Sequence, residues 1–198
     1  MNLVVGSGPA GIACAKGLLS QGAEVTLIDA GSTLEPERLT QIGQLAGGGP
    51  DSWRPESLAF LKQDIGAGTS GIRLKLAYGS DYPYRQTVGA TPVVCQDSES
   101  KASYARGGLS TVWGSAVLPY RQEDLTGWPS GVADLESAYR AVLGFVPLAG
   151  CKDDLADYFP LYSDSAAPLP VSRQASALLR DLERRREALR RQGLIFGM

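Results

Sequence analysis

A chain of 198 residues with 43% hydrophobic side chains and a formal net charge of −2 has an ordinary globular composition, enough for one domain or slightly more. That near-neutral balance excludes a generally basic protein built for nucleic acid, and nothing in it calls for a membrane surface as the main partner. Histidine is absent, which excludes Ser-His-Asp, Cys-His and His-ligated metal mechanisms within this chain alone, while Cys14, Cys95 and Cys151 are an odd set without CxxC spacing and argue against a disulfide framework or zinc site.

The first thirty-one residues carry the strongest pattern. An apolar run, Asn2-Leu3-Val4-Val5, enters Gly6-Ser7-Gly8-Pro9-Ala10-Gly11, and a second strand from Glu24 to Ile28 ends in Asp29. This is the pattern of a dinucleotide-binding βαβ unit. Gly6 allows the tight turn, Gly8 lets the backbone approach a pyrophosphate, and Gly11 lets the helix pack close to the sheet. Pro9 suits the first helical position, and the helix N-terminus offers amides and a dipole that favour anions. Ala15, Leu18 and Leu19 supply the packing face, and Gly22 suits the helix end. Asp29 stands 18 residues past Gly11, close to the roughly 20-residue spacing of a carboxylate that accepts ribose hydroxyls. With a core strand beginning at residue 2 there is no room for a basic leader, and the glycine turn interrupts the apolar start, so neither a targeting segment nor a membrane span is expected and a reducing, cytoplasmic setting is the simplest.

Residues 32 to 52, with Gly43, Gly47, Gly48, Gly49 and Pro50, are expected to form a long loop. Glu56 to Gln63 has short helical character, Ile72 to Tyr78 and Val93-Val94-Cys95 have strand character, and Gln96 to Ser103 reads as a solvated loop. A second informative stretch runs Arg106-Gly107-Gly108-Leu109-Ser110-Thr111-Val112-Trp113-Gly114. Paired glycines followed by hydroxyls offer backbone donors and small polar groups to a phosphate or sugar-alcohol chain, with Arg106 as a counter-charge. The same residues also suit a plain turn with Trp113 in a core. Further on, 134–146 is expected to be a helix opened by Asp134, with Leu135, Ala138, Val142 and Phe145 on one face. Asp153 to Tyr162 and Ala166 to Val171 read as irregular connection. Ser172 to Gln192 is expected to be one helix, capped by Ser172, with Leu178, Leu182 and Leu189 near one stripe and Asp181–Arg185 and Glu187–Arg191 at i,i+4 spacing. Arg184-Arg185-Arg186 lies among acids and reads as a solvated face.

The two glycine blocks together, with Ile28-Asp29-Ala30-Gly31 between them, resemble the FAD-binding part of the glucose-methanol-choline (GMC) oxidoreductases, nearest to the branch that includes pyranose oxidases. The likeness covers about the first 145 residues in scattered blocks, among them Asp124 to Pro129 and Tyr139, and fades beyond Gly150. It implies an α/β fold: a Rossmann-like FAD/NAD(P)-binding domain with a central parallel sheet over 1–150, irregular insertions at about 32–103, then a connection and C-terminal helix over 151–198 that could begin a substrate domain. It further implies noncovalent FAD, since Val112 stands where pyranose oxidases carry the histidine bonded to flavin; Trp113 stands where other members have an asparagine. The cofactor-contacting set implied is Gly6, Gly8, Pro9, Ala10, Gly11, Asp29, Ala30, Gly31, Arg106, Gly107, Gly108, Ser110, Thr111, Val112, Trp113 and Gly114. An alcohol or sugar would be the substrate. The catalytic base of the family belongs to its C-terminal half, so no catalytic residue and no metal ligand is assigned here, and a C-terminal substrate-domain chain is a possible partner. Two other readings stay open: a non-catalytic FAD-binding or assembly subunit, and an NAD-dependent Rossmann protein.

Overall fold

The computed structural model describes residues 1–64, 74–85, 96, 102–129 and 135–197. The chain forms two compact units, Met1–Ser115 and Ala116–Met198.

In the first unit, β1 (Asn2–Val5) leads through α1 (Pro9–Ser20) into β2 (Val25–Ile28). The strands pair in parallel, Asn2 opposite Val25 through Val5 opposite Ile28. Parallel neighbours need a crossover, and α1 supplies it. Side chains alternate across the sheet. Val4 is buried and lies under Gly11 of α1, where an added Cβ would stand 3.6 Å from its Cγ1, whereas Leu3 and Val5 on the other face are 53% and 77% exposed. The helix ends as the sequence leads one to expect: Gly22 has φ +75°, its N–H donates to Leu19 O at 3.0 Å, and Ala23 N–H donates to Leu18 O at 3.1 Å. This is the Schellman pair of bonds that satisfies carbonyls at a helix end.

Among the described residues the sheet has two strands, fewer than a full central sheet. An isolated parallel bridge outside it joins Ser32 to Ala105, with Ser32 N–H on Tyr104 O at 3.0 Å and Arg106 N–H on Ser32 O at 2.8 Å. The 104–106 segment therefore runs beside Ser32, a few residues past the end of β2.

The expected loop over 32–52 is instead largely helical: α2 spans Pro36–Ala46 and a single 3-10 turn spans Pro50–Ser52. The glycine count misleads because three of the five punctuating residues, Gly47, Gly48 and Gly49, follow the helix, while Gly43 sits within it. Pro36 opens the helix and Glu37 favours its first turn. What fixes it is Arg38, 2% exposed, whose guanidinium donates to the carbonyl oxygens of Phe60 (3.2 Å), Leu61 (3.4 Å), Gln63 (2.8 Å) and Tyr78. Three of those carbonyls belong to the C-terminal end of α3 (Pro55–Lys62), where a cation is favoured. Leu34, Ala77, Tyr82, Ala105 and Val112 form the core beside it, with Ile42 of α2 packed against them.

The strand expected over 72–78 falls partly outside the described residues. Within them only Ala77 bridges, antiparallel to Ser80, because Tyr78 and Gly79 (φ +52° and +79°) reverse the chain at once. Val93-Val94-Cys95 and Asp134 lie outside the described residues.

In the second unit, α4 spans Glu136–Leu143. The expected single helix over 172–192 is two, α5 (Arg173–Arg184) and α6 (Arg186–Arg191), broken at Arg185. Ser172 does cap α5, accepting from Ala175 N–H at 3.1 Å. At the break Arg186 is drawn to Asp154 and Glu183 and stacks 4.4 Å over the Phe196 ring, so tertiary ties override the helical register. The expected i,i+4 pairs are replaced accordingly: Asp181 meets Arg184 at 3.0 Å, and Arg191 Nε donates to Glu187 O at 3.3 Å. Leu178 is 60% exposed and not part of a packed stripe. Among the described residues no helix is long and apolar enough to cross a membrane.

Candidate dinucleotide-binding site

The site is built where three backbone segments converge at the C-terminal end of the sheet. The first is the turn from β1 into α1. Gly6 carries φ +91° and donates to Ile28 O at 2.7 Å, which ties the turn to β2. Gly8 caps α1 without any side-chain acceptor, Pro9 takes the first helical position, and the first i→i−4 bond is made by Ile12 N–H on Gly8 O at 3.0 Å. The amides of Ala10 and Gly11 precede that bond, so they belong to the donors a helix start leaves for another acceptor. Gly11 is required for closeness: a Cβ there would stand 1.9 Å from Gly6 O.

The second segment is the end of β2. Asp29 is partly buried and fully engaged on one oxygen. Its Oδ2 accepts from Ser7 N–H and from Ser7 Oγ–H, each at 2.7 Å, and its Oδ1 accepts from Gly31 N–H at 2.7 Å. Ser7's hydroxyl is the largest influence holding the carboxyl below the ordinary aspartate range, followed by Ser7's amide; burial opposes them, and Gly31's amide and the charge of Arg106 each add a lesser lowering. A carboxylate offers about four acceptor positions, so roughly one remains, on Oδ1. Ala30 and Gly31 are exposed beside it.

The third segment is the second glycine block. Gly107 has φ +91° and Gly108 has φ +62°. Gly107 N–H donates to Ser7 Oγ at 2.8 Å. The same residue's carbonyl accepts from Ser110 Oγ at 2.7 Å, and Thr111 Oγ1 donates to Gly108 O at 2.9 Å. A Cβ built on Gly8 would lie 3.6 Å from Gly107 O, and one on Gly108 would lie 4.0 Å from Gly8 Cα, so the two glycine turns lie backbone against backbone, with room for little more than one added carbon.

Residues 4–34 match the NAD(P)-binding Rossmann-like domain. That match covers the end of β1, all of α1 and β2, and the following turn, and it supports a dinucleotide-binding segment of the oxidoreductase type. No curated protein and no solved structure shows significant similarity to the chain.

The Rossmann-like segment thus holds Gly6, Gly8, Pro9, Ala10, Gly11, Asp29, Ala30 and Gly31, and the structure brings Gly107 and Gly108 to it. Ser110 and Thr111 serve the second turn by bonding its carbonyls. Val112 is 8% exposed in the core, not on the site surface. Trp113 is 44% exposed and its carbonyl accepts from Lys75 Nζ at 2.7 Å, while Gly114 has open space around it. Arg106 is exposed, its amide spent on Ser32 O. Missing from the sequence-based set is Ser7, the residue on which all three segments meet. A hydroxyl between the first two glycines is the only signal of it, and spacing alone does not distinguish that hydroxyl from a solvated one.

Proposed function

We propose that this chain is the FAD-binding portion of an oxidoreductase similar to the GMC family, holding FAD noncovalently for oxidation of an alcohol or sugar hydroxyl. The observation that carries the reading is the contact between the two glycine turns through Ser7, because a ligand touched by both must extend from a diphosphate-type turn onto a Gly-Gly-x-Ser segment. When bound, flavin would accept the hydride that such a reaction releases. The residues present fit the group: an uncapped helix start favours the diphosphate, the absence of side chains at Gly8 and Gly107 leaves adjoining backbone open to close approach, and Asp29 retains an acceptor for a ribose hydroxyl. The chain's own residues bind and orient. No residue of the chain is assigned as the base, and the proton of the hydroxyl would be taken by a group from a C-terminal substrate domain or partner chain, the part in which the GMC family carries its base.

A second reading is favoured by the description of the matched domain, which is NAD(P)-binding. The test separates the two. Purified protein titrated with FAD, and in parallel with NADH, should quench flavin fluorescence and leave NADH fluorescence unchanged. Asp29→Ala should weaken FAD by about tenfold, the value of one charge-assisted hydrogen bond. Binding of NADH without FAD would replace the flavin reading. Flavin that is bound but never bleached by alcohols or sugars until a second chain is added would identify a binding subunit.

A further inference from the structure

We infer that Ser7 is a positioning residue of the dinucleotide site, its hydroxyl holding the two glycine turns together so that both present bare backbone to the ligand's diphosphate. The inference rests on the reading of the site as dinucleotide-binding, but the bridge itself is independent of it.

The directions of the bonds are forced by the partners. A carboxylate only accepts and a backbone amide only donates. The chain of hydrogen bonds therefore runs from Gly107 N–H to Ser7 Oγ at 2.8 Å, and from Ser7 Oγ–H to Asp29 Oδ2 at 2.7 Å. A hydroxyl is the group that can both accept from the amide and donate to the carboxylate from one atom. Because the terminal acceptor is charged, each bond polarises the next, and Ser7 N–H doubles the tie to the same oxygen at 2.7 Å.

The rest of the second turn is pinned from its other side. Gly107 O is held by Ser110, Gly108 N–H donates to Ala105 O at 2.7 Å, and the Ser32–Ala105 bridge registers the approaching chain against β2. Those ties set the turn's shape and its height along the sheet. They do not draw it toward Gly8. Among the hydrogen bonds of the described residues, the tie between the two turns comes from Ser7, whose side chain reaches both partners.

Replacing Ser7 by Ala removes the bridge and leaves every glycine in place. The expected results are loss of protection at the Gly107 amide in hydrogen exchange on the ligand-free protein, by about tenfold, and FAD affinity weakened by about tenfold. Ser7→Thr keeps the hydroxyl and should restore both. Ser7→Cys, which keeps the shape with a slightly larger atom and weakens both bonds, should fall between and serves where the alanine variant folds poorly. An unchanged Gly107 exchange rate in Ser7→Ala would overturn the bridge. Exposed Gly107 with undiminished FAD affinity would overturn the positioning role while leaving the bridge intact. If the wild type takes neither FAD nor NAD, the dinucleotide reading and the positioning role fall together, and exchange at Gly107 still decides the bridge.

Discussion

Gly11→Ala tests the closest approach in the site, and the same helix carries its own control. A Cβ at residue 11 would lie 1.9 Å from Gly6 O, 3.0 Å from Gly6 C and 3.6 Å from Val4 Cγ1. An ordinary carbon–oxygen contact is about 3.3 Å or longer, so turn and helix must part by roughly 1.4 Å. Neither side is a flexible side chain: the obstacle is the carbonyl of a turn residue at φ +91° whose amide is bonded to Ile28 O. Overpacking of this kind costs about 1–3 kcal/mol, against about 1 kcal/mol gained from the helix propensity of alanine. The net expectation is a loss of up to about 2 kcal/mol in urea unfolding, together with weaker dinucleotide binding, since the parted turn carries the phosphate-facing amides. Gly17→Ala, in the same helix with nothing within 4 Å of its Cβ, should gain about 0.5–1 kcal/mol and leave binding unchanged. The steric reasoning is refuted if Gly11→Ala is as stable as Gly17→Ala, or if both bind the ligand like wild type.

Asp29→Asn should alter the acid limb of the stability profile. Because hydrogen bonds from Ser7 and Gly31 depress the folded-state pKa of Asp29, its contribution is present above the ordinary carboxylate value near ~3.9 and fades as pH falls through the lower folded value; the wild-type advantage in Tm should therefore shrink below about pH 4, and a gap constant from pH 7 to pH 3 would contradict it. Arg38→Met leaves four carbonyls without their cation and should cost about 3 kcal/mol or more by chemical denaturation; a loss under about 1 kcal/mol would show that water replaces the guanidinium. Ser172→Ala should cost about 1 kcal/mol through loss of the α5 cap, measured by thermal unfolding with Ser172→Asp as the variant that retains it.

How much could be read from sequence follows from how local each determinant is. The β1–α1–β2 start is written in short-range terms: apolar strand, glycine turn, Pro9 at N1, Gly22 at positive φ, Asp29 at the strand end. Each is fixed by backbone geometry within a few residues. The start of α5 is equally local, since Ser172 reaches only three residues along the chain. Helix α2 was obscured because its anchor is not local: Arg38 is satisfied by carbonyls 22 to 40 residues away, and composition records its charge and not its burial. The break at Arg185 has the same origin, as Arg186 answers to Asp154, 32 residues earlier.

The site shows the same division within a single residue pair. Asp29 is legible as a carboxylate at a strand end, and its expected role is to accept from ribose hydroxyls. In the fold one oxygen is committed to Ser7 and the other shares itself with Gly31, so Asp29 organises the turns as much as it awaits a ligand. The commitment depends on Gly107, 100 residues along the chain from Ser7, arriving with its amide pointed back. A spacing rule carries no information about that arrival. It follows that variants at Asp29 confound two effects, a lost ligand contact and a loosened turn, whereas Ser7→Ala loosens the turn and takes one donor from the carboxylate but keeps the carboxylate itself for the ligand; comparing their effects on affinity bears on how much of the site's strength is preorganisation.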